Sequence, residues 1–204
     1  VKTLPVNLVV EGLLDEQVLR GLLRQAFGGL EAGICYGRQG RDHLVKNLPK
    51  FNQAAAQGGQ IFVILADLEQ DDCAPGLIKT WLPKGAYRNL AVRIAIRKIE
   101  SWLLADREAF AAFAGVPLAR VPLQPDLDVD PKARVVALAR RSRYRNIREG
   151  IVPSRGSTSR VGKNYSGQLT QFVLEHWRID WARRNSPSLD RAVIALQRFL
   201  HSPR

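Results

Sequence analysis

Two short apolar runs, residues 5–10 and 61–66, each give way to acidic positions, and the stretches between them carry helical rather than alternating periodicity. Val6, Leu8, Val9 and Val10 are strand formers in a run too short for a buried helix, and Glu11-Gly12 closes it. Val18, Leu19, Leu22, Leu23, Ala26 and Phe27 then recur at helical spacing, with Asp15 placed to cap the start and Gly28-Gly29 to end it. Gly12 permits a sharp turn between strand and helix. The second run, Ile61-Phe62-Val63-Ile64-Leu65-Ala66, lies between Gly58-Gly59 and Asp67-Leu68-Glu69 and reads as an interior parallel strand buried on both faces.

Extended along the chain, the pattern predicts strands over 5–10, 32–36, 61–66 and 90–94 and helices over 15–27 and 42–56. A helix is predicted over 99–114, stopped by Gly115 and Pro117. The Pro-rich, acidic stretch 116–131 reads as a loop or linker. Further helices are predicted over 132–143, 166–177 and 188–200, with Ser188 able to cap the last. Alternation of strand and helix predicts an α/β protein with a parallel doubly wound sheet flanked by helices. The expected organisation is an α/β core over 1–115, a linker over 116–131 and a basic, mainly helical region over 132–204 packed on the core.

The positions of the acids matter for chemistry. In an open parallel sheet, side chains at the carboxyl ends of strands converge on the crevice where ligands bind. Glu11 and Asp67, with Glu69 and Asp71 close behind, therefore make an oxygen-rich pocket suited to a hard divalent cation, Mg²⁺ or Mn²⁺. For Asp71 and Asp72 the alternative is a solvated loop acid. His43, His176 and His201 form no ligand-spaced cluster.

Val10-Glu11-Gly12 with Asp15-Glu16 resembles the first motif of the TOPRIM domain of topoisomerases, primases and the overcoming-lysogenization-defect nucleases. Asp67-Leu68-Glu69 resembles the second motif, with Glu69 standing where the usual form has Asp, one methylene shorter. More of the chain resembles a TOPRIM-like bacterial domain-of-unknown-function family, numbered four-two-seven-six. The matching pieces are Leu65 to Glu69 with Asp71-Asp72-Cys73, and Ile99-Glu100-Ser101-Trp102-Leu103-Leu104-Ala105-Asp106. Asp130-Pro131-Lys132, Gly162-Lys163-Asn164-Tyr165 and Ser186-Pro187-Ser188-Leu189 fit the same pattern. The resemblance implies a TOPRIM-like, Rossmann-like fold, Glu100 as a further metal-site carboxylate, and a neighbouring ATPase partner in bacterial anti-phage defence or toxin-like systems. Asp106, six residues beyond Glu100, is read as a residue that caps or pins the helix.

At 204 residues and 46% hydrophobic, the chain can bury a full core. It has no apolar stretch near the roughly 20 residues that span a bilayer and no cleavable leader pattern, so a cytoplasmic protein with no membrane partner is expected. Cys35 and Cys73 form neither a paired metal motif nor a disulfide framework. The basic excess is lopsided. Residues 1–131 carry 15 basic and 15 acidic side chains and residues 132–204 carry 16 and 4, so the whole net charge of +12 lies in the last third. A merely soluble basic surface is one explanation; a nucleic-acid partner is the one favoured here, because acidic pocket and basic region occupy separate parts of the chain.

The Gly/Ser-rich segment over 151–165 reads equally as a flexible surface loop or as a phosphate-binding one; in the second case Arg155, Arg160 and Lys163 are the expected phosphate contacts, together with Arg140 and Arg141. The segment is not a nucleotide P-loop, because Asn164 follows Lys163. Tyr144 and Tyr165 could stack on bases or pack against the protein. The expected function is a metal-dependent nuclease acting on DNA or RNA, with Glu11, Asp67, Glu69 and Glu100 as catalytic carboxylates and Glu11, Asp67, Glu69 and Asp71 as cation ligands. The alternative is a non-catalytic subunit that binds nucleic acid or an ATPase and keeps a vestigial or regulatory cation site.

Overall fold

The apolar runs form the strands of an α/β unit in the computed structural model, which describes residues 5–201. The elements of this unit are β1 (Val6–Val10), α1 (Leu13–Ala26), β2 (Cys35–Gly37), α2 (Arg41–Ala56), β3 (Ile61–Asp67), α3 (Ala74–Trp81) and β4 (Leu90–Ala95). The four strands are parallel in the order β2-β1-β3-β4, a Rossmann-like arrangement. Val10 lies opposite Leu65, so β1 and β3 finish at the same level.

Burial follows the two-residue period of the strands. Val9, Phe62, Ile64, Ala66, Val92 and Ile94 pack with Leu44 and Leu48 of α2 and Leu77 of α3. The alternate positions Leu8, Val10, Val63 and Leu65 are equally buried, as are Val18, Leu19, Leu22 and Leu23 on the inner stripe of α1, which contacts β1 and β3. Burying each such leucine stabilises the fold by about 1.5–3 kcal/mol. The chain steps from β1 to β2 on one side and then to β3 on the other, which makes the β1/β3 border the topological switch point.

By tertiary contact the chain divides into two units, one running to Ile96 and joined by the segment from Arg191 onward, the other Arg97–Asp190. The second unit is helical: α4 (Glu100–Leu104), α5 (Arg107–Ala114), α6 (Pro131–Arg140), α7 (Arg145–Ile151), α8 (Tyr165–Glu175) and α9 (Ile179–Ala182). The last helix, α10 (Pro187–His201), begins in the second unit and continues in the first. Residues 116–131 belong to the second unit and contain two 3₁₀ turns, Leu118–Arg120 and Pro125–Leu127. Trp102, Phe110, Val135, Leu169 and Phe172 form its buried interior.

The strand expected over 32–36 is shorter and later, at Cys35–Gly37, and three further features differ from the reading of the sequence. The helix expected over 99–114 is broken at Ala105-Asp106 into α4 and α5. Asp106 caps α5 by accepting from the Ala109 amide, and it is fully buried against Arg178, which donates from its backbone and from two guanidinium nitrogens. That long-range clamp takes Asp106 out of the helix. The last helix is capped by Ser186, whose hydroxyl accepts from the Leu189 amide at 3.2 Å, while Ser188 accepts from the buried Trp102 indole at 2.8 Å. The short helices α3, α7 and α9 were not foreseen, because four to eight residues give too few turns for a period to show.

Candidate functional site

The acids at the ends of β1 and β3 meet in the first unit. Glu11 follows the last residue of β1 and its Oε1 accepts from the backbone N–H of Asp67 at 3.2 Å. Asp67 ends β3, and the Leu68 amide still pairs with the Ala95 carbonyl of β4, so the strand is held to its last residue. The chain then turns, with Glu69 in the left-handed region at φ 52° and the Asp71 amide bonded to the Leu68 carbonyl. That conformation is uncommon for a side-chain-bearing residue and swings Glu69 back toward the strand ends.

Arg41 enters the same crevice. The amides of Arg38 and Gly40 bond the carbonyls of Val10 and Glu11, so the loop after β2 runs along the end of β1 and delivers the first residue of α2 to the acids. Gly40, at φ 84°, makes that turn possible. Arg41 Nη1 lies 3.1 Å from Glu69 Oε2, and its Nη2 donates to Asp71 Oδ2. Burial opposes the Arg41 charge, yet its bond to Asp71 and the charges of Asp71, Glu69 and Glu11 hold the guanidinium above its ordinary pKa.

The carboxylates of Glu69, Asp71 and Glu11 act on Arg41, so a guanidinium stands as the positive charge among the acids of this crevice. Among the described residues no three Asp, Glu, His or Cys groups are placed to hold a metal ion. Arg41 had no role in the reading of the sequence, although a signal existed. A cation in the first turn of a helix opposes the macrodipole unless acids lie opposite it.

Beside the crevice, Glu16 of α1 binds Arg20 at 2.9 Å and Arg38 at 2.6 Å. Burial works against the Glu16 charge, but hydrogen bonds from Arg38 and Arg20 outweigh it and hold the carboxyl below its usual value. Burial, assisted by the Glu16 charge, pushes the Cys35 thiol up to about 11.

Glu100 belongs to the second unit. It is 1% exposed, accepts from the Tyr165 hydroxyl at 2.8 Å and lies 3.6 Å from Lys132 Nζ, while its second oxygen has no hydrogen-bond partner. Tyr165 is therefore a core residue with Lys132 over its ring, whereas Tyr144 is partly exposed.

The expected phosphate contacts fall into two groups. Arg140 and Arg160 line one cavity of about 700 Å³, together with Lys98 and Lys132. Arg155 and Lys163 line a second of about 330 Å³. Arg141 lines neither. Lys98 and Lys132 were not foreseen as lining residues; Lys132 marks the start of α6, but nothing in its spacing shows that α6 walls a cavity.

No helix of the described residues is long and apolar enough to cross a membrane. Compared with protein-family models, with curated proteins and with solved structures, the chain matches none.

Proposed function

We propose that this chain is a TOPRIM-like, metal-dependent nuclease whose centre is the acidic crevice between the ends of β1 and β3. The observation that carries the reading is the meeting of Glu11 and Asp67, 56 residues apart in sequence, at the topological switch point of a parallel sheet. Glu11 and Asp67 would hold a Mg²⁺ or Mn²⁺, with Glu69 and Asp71 completing the oxygen shell once Arg41 releases them. A divalent cation supplies polarisation of a phosphoryl oxygen and a more acidic bound water.

The chain's own side chains do the rest. Glu11, anchored on the Asp67 amide, keeps its carboxylate at the carboxyl ends of the strands. Arg41 neutralises Glu69 and Asp71 when no other cation is present, and on release its fork can take a phosphate oxygen in the charge-assisted geometry that guanidinium favours. Glu100, bonded to Tyr165 and facing Lys132, serves by positioning that lysine. The reading extends to a cytoplasmic protein acting with an ATPase partner, as the resemblance of its motifs implies.

The deciding experiment incubates the protein with end-labelled DNA and RNA, with and without Mg²⁺ or Mn²⁺, alone and with a candidate ATPase partner. Divalent-dependent cleavage that Asp67→Ala removes supports the proposal. Intact strands under every condition overturn it. The ion pairs of Arg41 favour one second reading, a non-catalytic nucleic-acid- or ATPase-binding subunit in which the acids form a structural network, and intact strands with retained binding would select it.

A further inference from the structure

Two cavities in the second unit share a wall. The larger, about 700 Å³, is lined by Lys98, Lys132, Arg140 and Arg160, with Asp130 as its one acid. The smaller, about 330 Å³, is lined by Arg155 and Lys163. Ser157, Ser159 and Val161 belong to both. The wall is internally braced: the Ser159 amide donates to the Ser157 hydroxyl at 3.1 Å, and the Ser159 hydroxyl donates to the Val161 carbonyl at 2.8 Å. Its base is tight as well, because a Cβ on Gly162 would lie 2.3 Å from the Gly150 carbonyl oxygen.

Neutralisation of the cations lining these cavities is uneven. Arg140, Arg155 and Lys163 make no ion pair among the described residues. Arg160 reaches Asp130 only at 3.9 Å, with its side chain 88% exposed. Lys132 is braced from behind by the buried Glu100. Concentrated like charge repels itself and raises the local concentration of anions. One small anion would need one cradle. Two basic cavities that abut along one braced wall fit successive anionic groups on one chain.

The larger cavity also has an apolar side, formed by Ala133, Val136, Pro153 and Val161. Bases are free to lie on such a surface in a single strand but are stacked inside a duplex, out of its reach.

We propose that the paired cavities are a track for the backbone of a single-stranded nucleic acid, with Lys132, Arg140 and Arg160 meeting one phosphate and Arg155 and Lys163 the next. The identity of the anion rests on the nucleic-acid reading above, whereas binding here needs no metal.

The test is fluorescence anisotropy in EDTA with labelled single-stranded DNA, single-stranded RNA and a duplex of equal length, across about 50–200 mM salt. Wild-type protein is expected to bind the single strands more tightly than the duplex. The triple variant Arg140→Gln/Arg155→Gln/Lys163→Gln is expected to weaken binding and to shallow the log–log salt slope by about 2, at about 0.7 per lost single-strand contact. Lys46→Gln/Lys50→Gln/Arg88→Gln, equal in charge removed but located in the first unit, is expected to leave the slope unchanged, and thermal melts of both variants report folding. A duplex preference, no binding at low salt, or equal slopes in the two triple variants would overturn the track. Wild-type binding without divalent-dependent cleavage sinks the nuclease reading alone, and wild-type cleavage with binding unchanged in Arg140→Gln/Arg155→Gln/Lys163→Gln sinks the track alone.

Discussion

Glu11 Oε1 and the backbone N–H of Asp67 are joined by a 3.2 Å hydrogen bond that spans the ends of two neighbouring parallel strands. The bond orients one acid by the main chain of the other, so removing either side chain leaves the sheet hydrogen bonds in place.

Glu11→Ala and Asp67→Ala should therefore lower divalent-dependent cleavage by about 100-fold or more, since loss of even an outer partner of a metal ligand costs about 10–100-fold. Circular dichroism should remain that of the wild type. Glu69→Asp, which shortens the arm by one methylene, should retain or raise activity. A wild-type rate in Asp67→Ala would remove Asp67 from the centre.

Arg41→Gln removes the charge that holds Glu69 and Asp71. In metal-free buffer the freed carboxylates repel, and the melting temperature should fall by a few degrees, at about 2–4 °C per kcal/mol. Saturating Mg²⁺ should then stabilise the variant more than the wild type, because a cation binding only the folded state adds stability by mass action. Equal Mg²⁺ responses in the two proteins would assign the network a purely structural role.

Ser188→Ala should destabilise the protein by about 1–3 kcal/mol, the cost of leaving a buried donor without its acceptor, because it strands the fully buried Trp102 indole N–H. Asp106→Ala should cost about 2–3 kcal/mol, since it removes the α5 cap together with the bonds from Arg178. Urea titrations measure both. A variant within experimental error of the wild type would show that the neighbouring chain relaxes around the loss.

Glu16 has a folded-state pKa below the ordinary glutamate value of about 4.5. Its contribution to stability is thus fully present above about that pH and declines as pH falls toward the folded value. Glu16→Gln should narrow the stability gap between neutral and acid pH, read from melts at about pH 7 and about pH 3. An unchanged gap would show that Arg20 and Arg38 contribute equally to a neutral side chain. The neighbouring Cys35, with its thiol near 11, should alkylate far more slowly at neutral pH than the exposed Cys73.

The apolar period by itself determined the sheet and the helices packed on it. β1, β3 and β4 begin within a residue of where their runs begin, because a run of β-branched and leucine residues buried on both faces has few other ways to satisfy its backbone. The placing of Glu11 and Asp67 at strand ends was legible for the same reason: an acid cannot continue a buried strand. Tertiary structure alone decided the partners. That Arg41 would sit among the acids, that Glu100 would be sealed against Tyr165 and Lys132, and that Asp106 would leave its helix for Arg178 depend on residues 28 to 72 positions away. Periodicity reports which face of an element is buried, but the partner of a polar group is set by which elements the fold brings beside it. The strand order, with its switch at β1 and β3, was decided by the packing of α1 on one face and of α2 and α3 on the other.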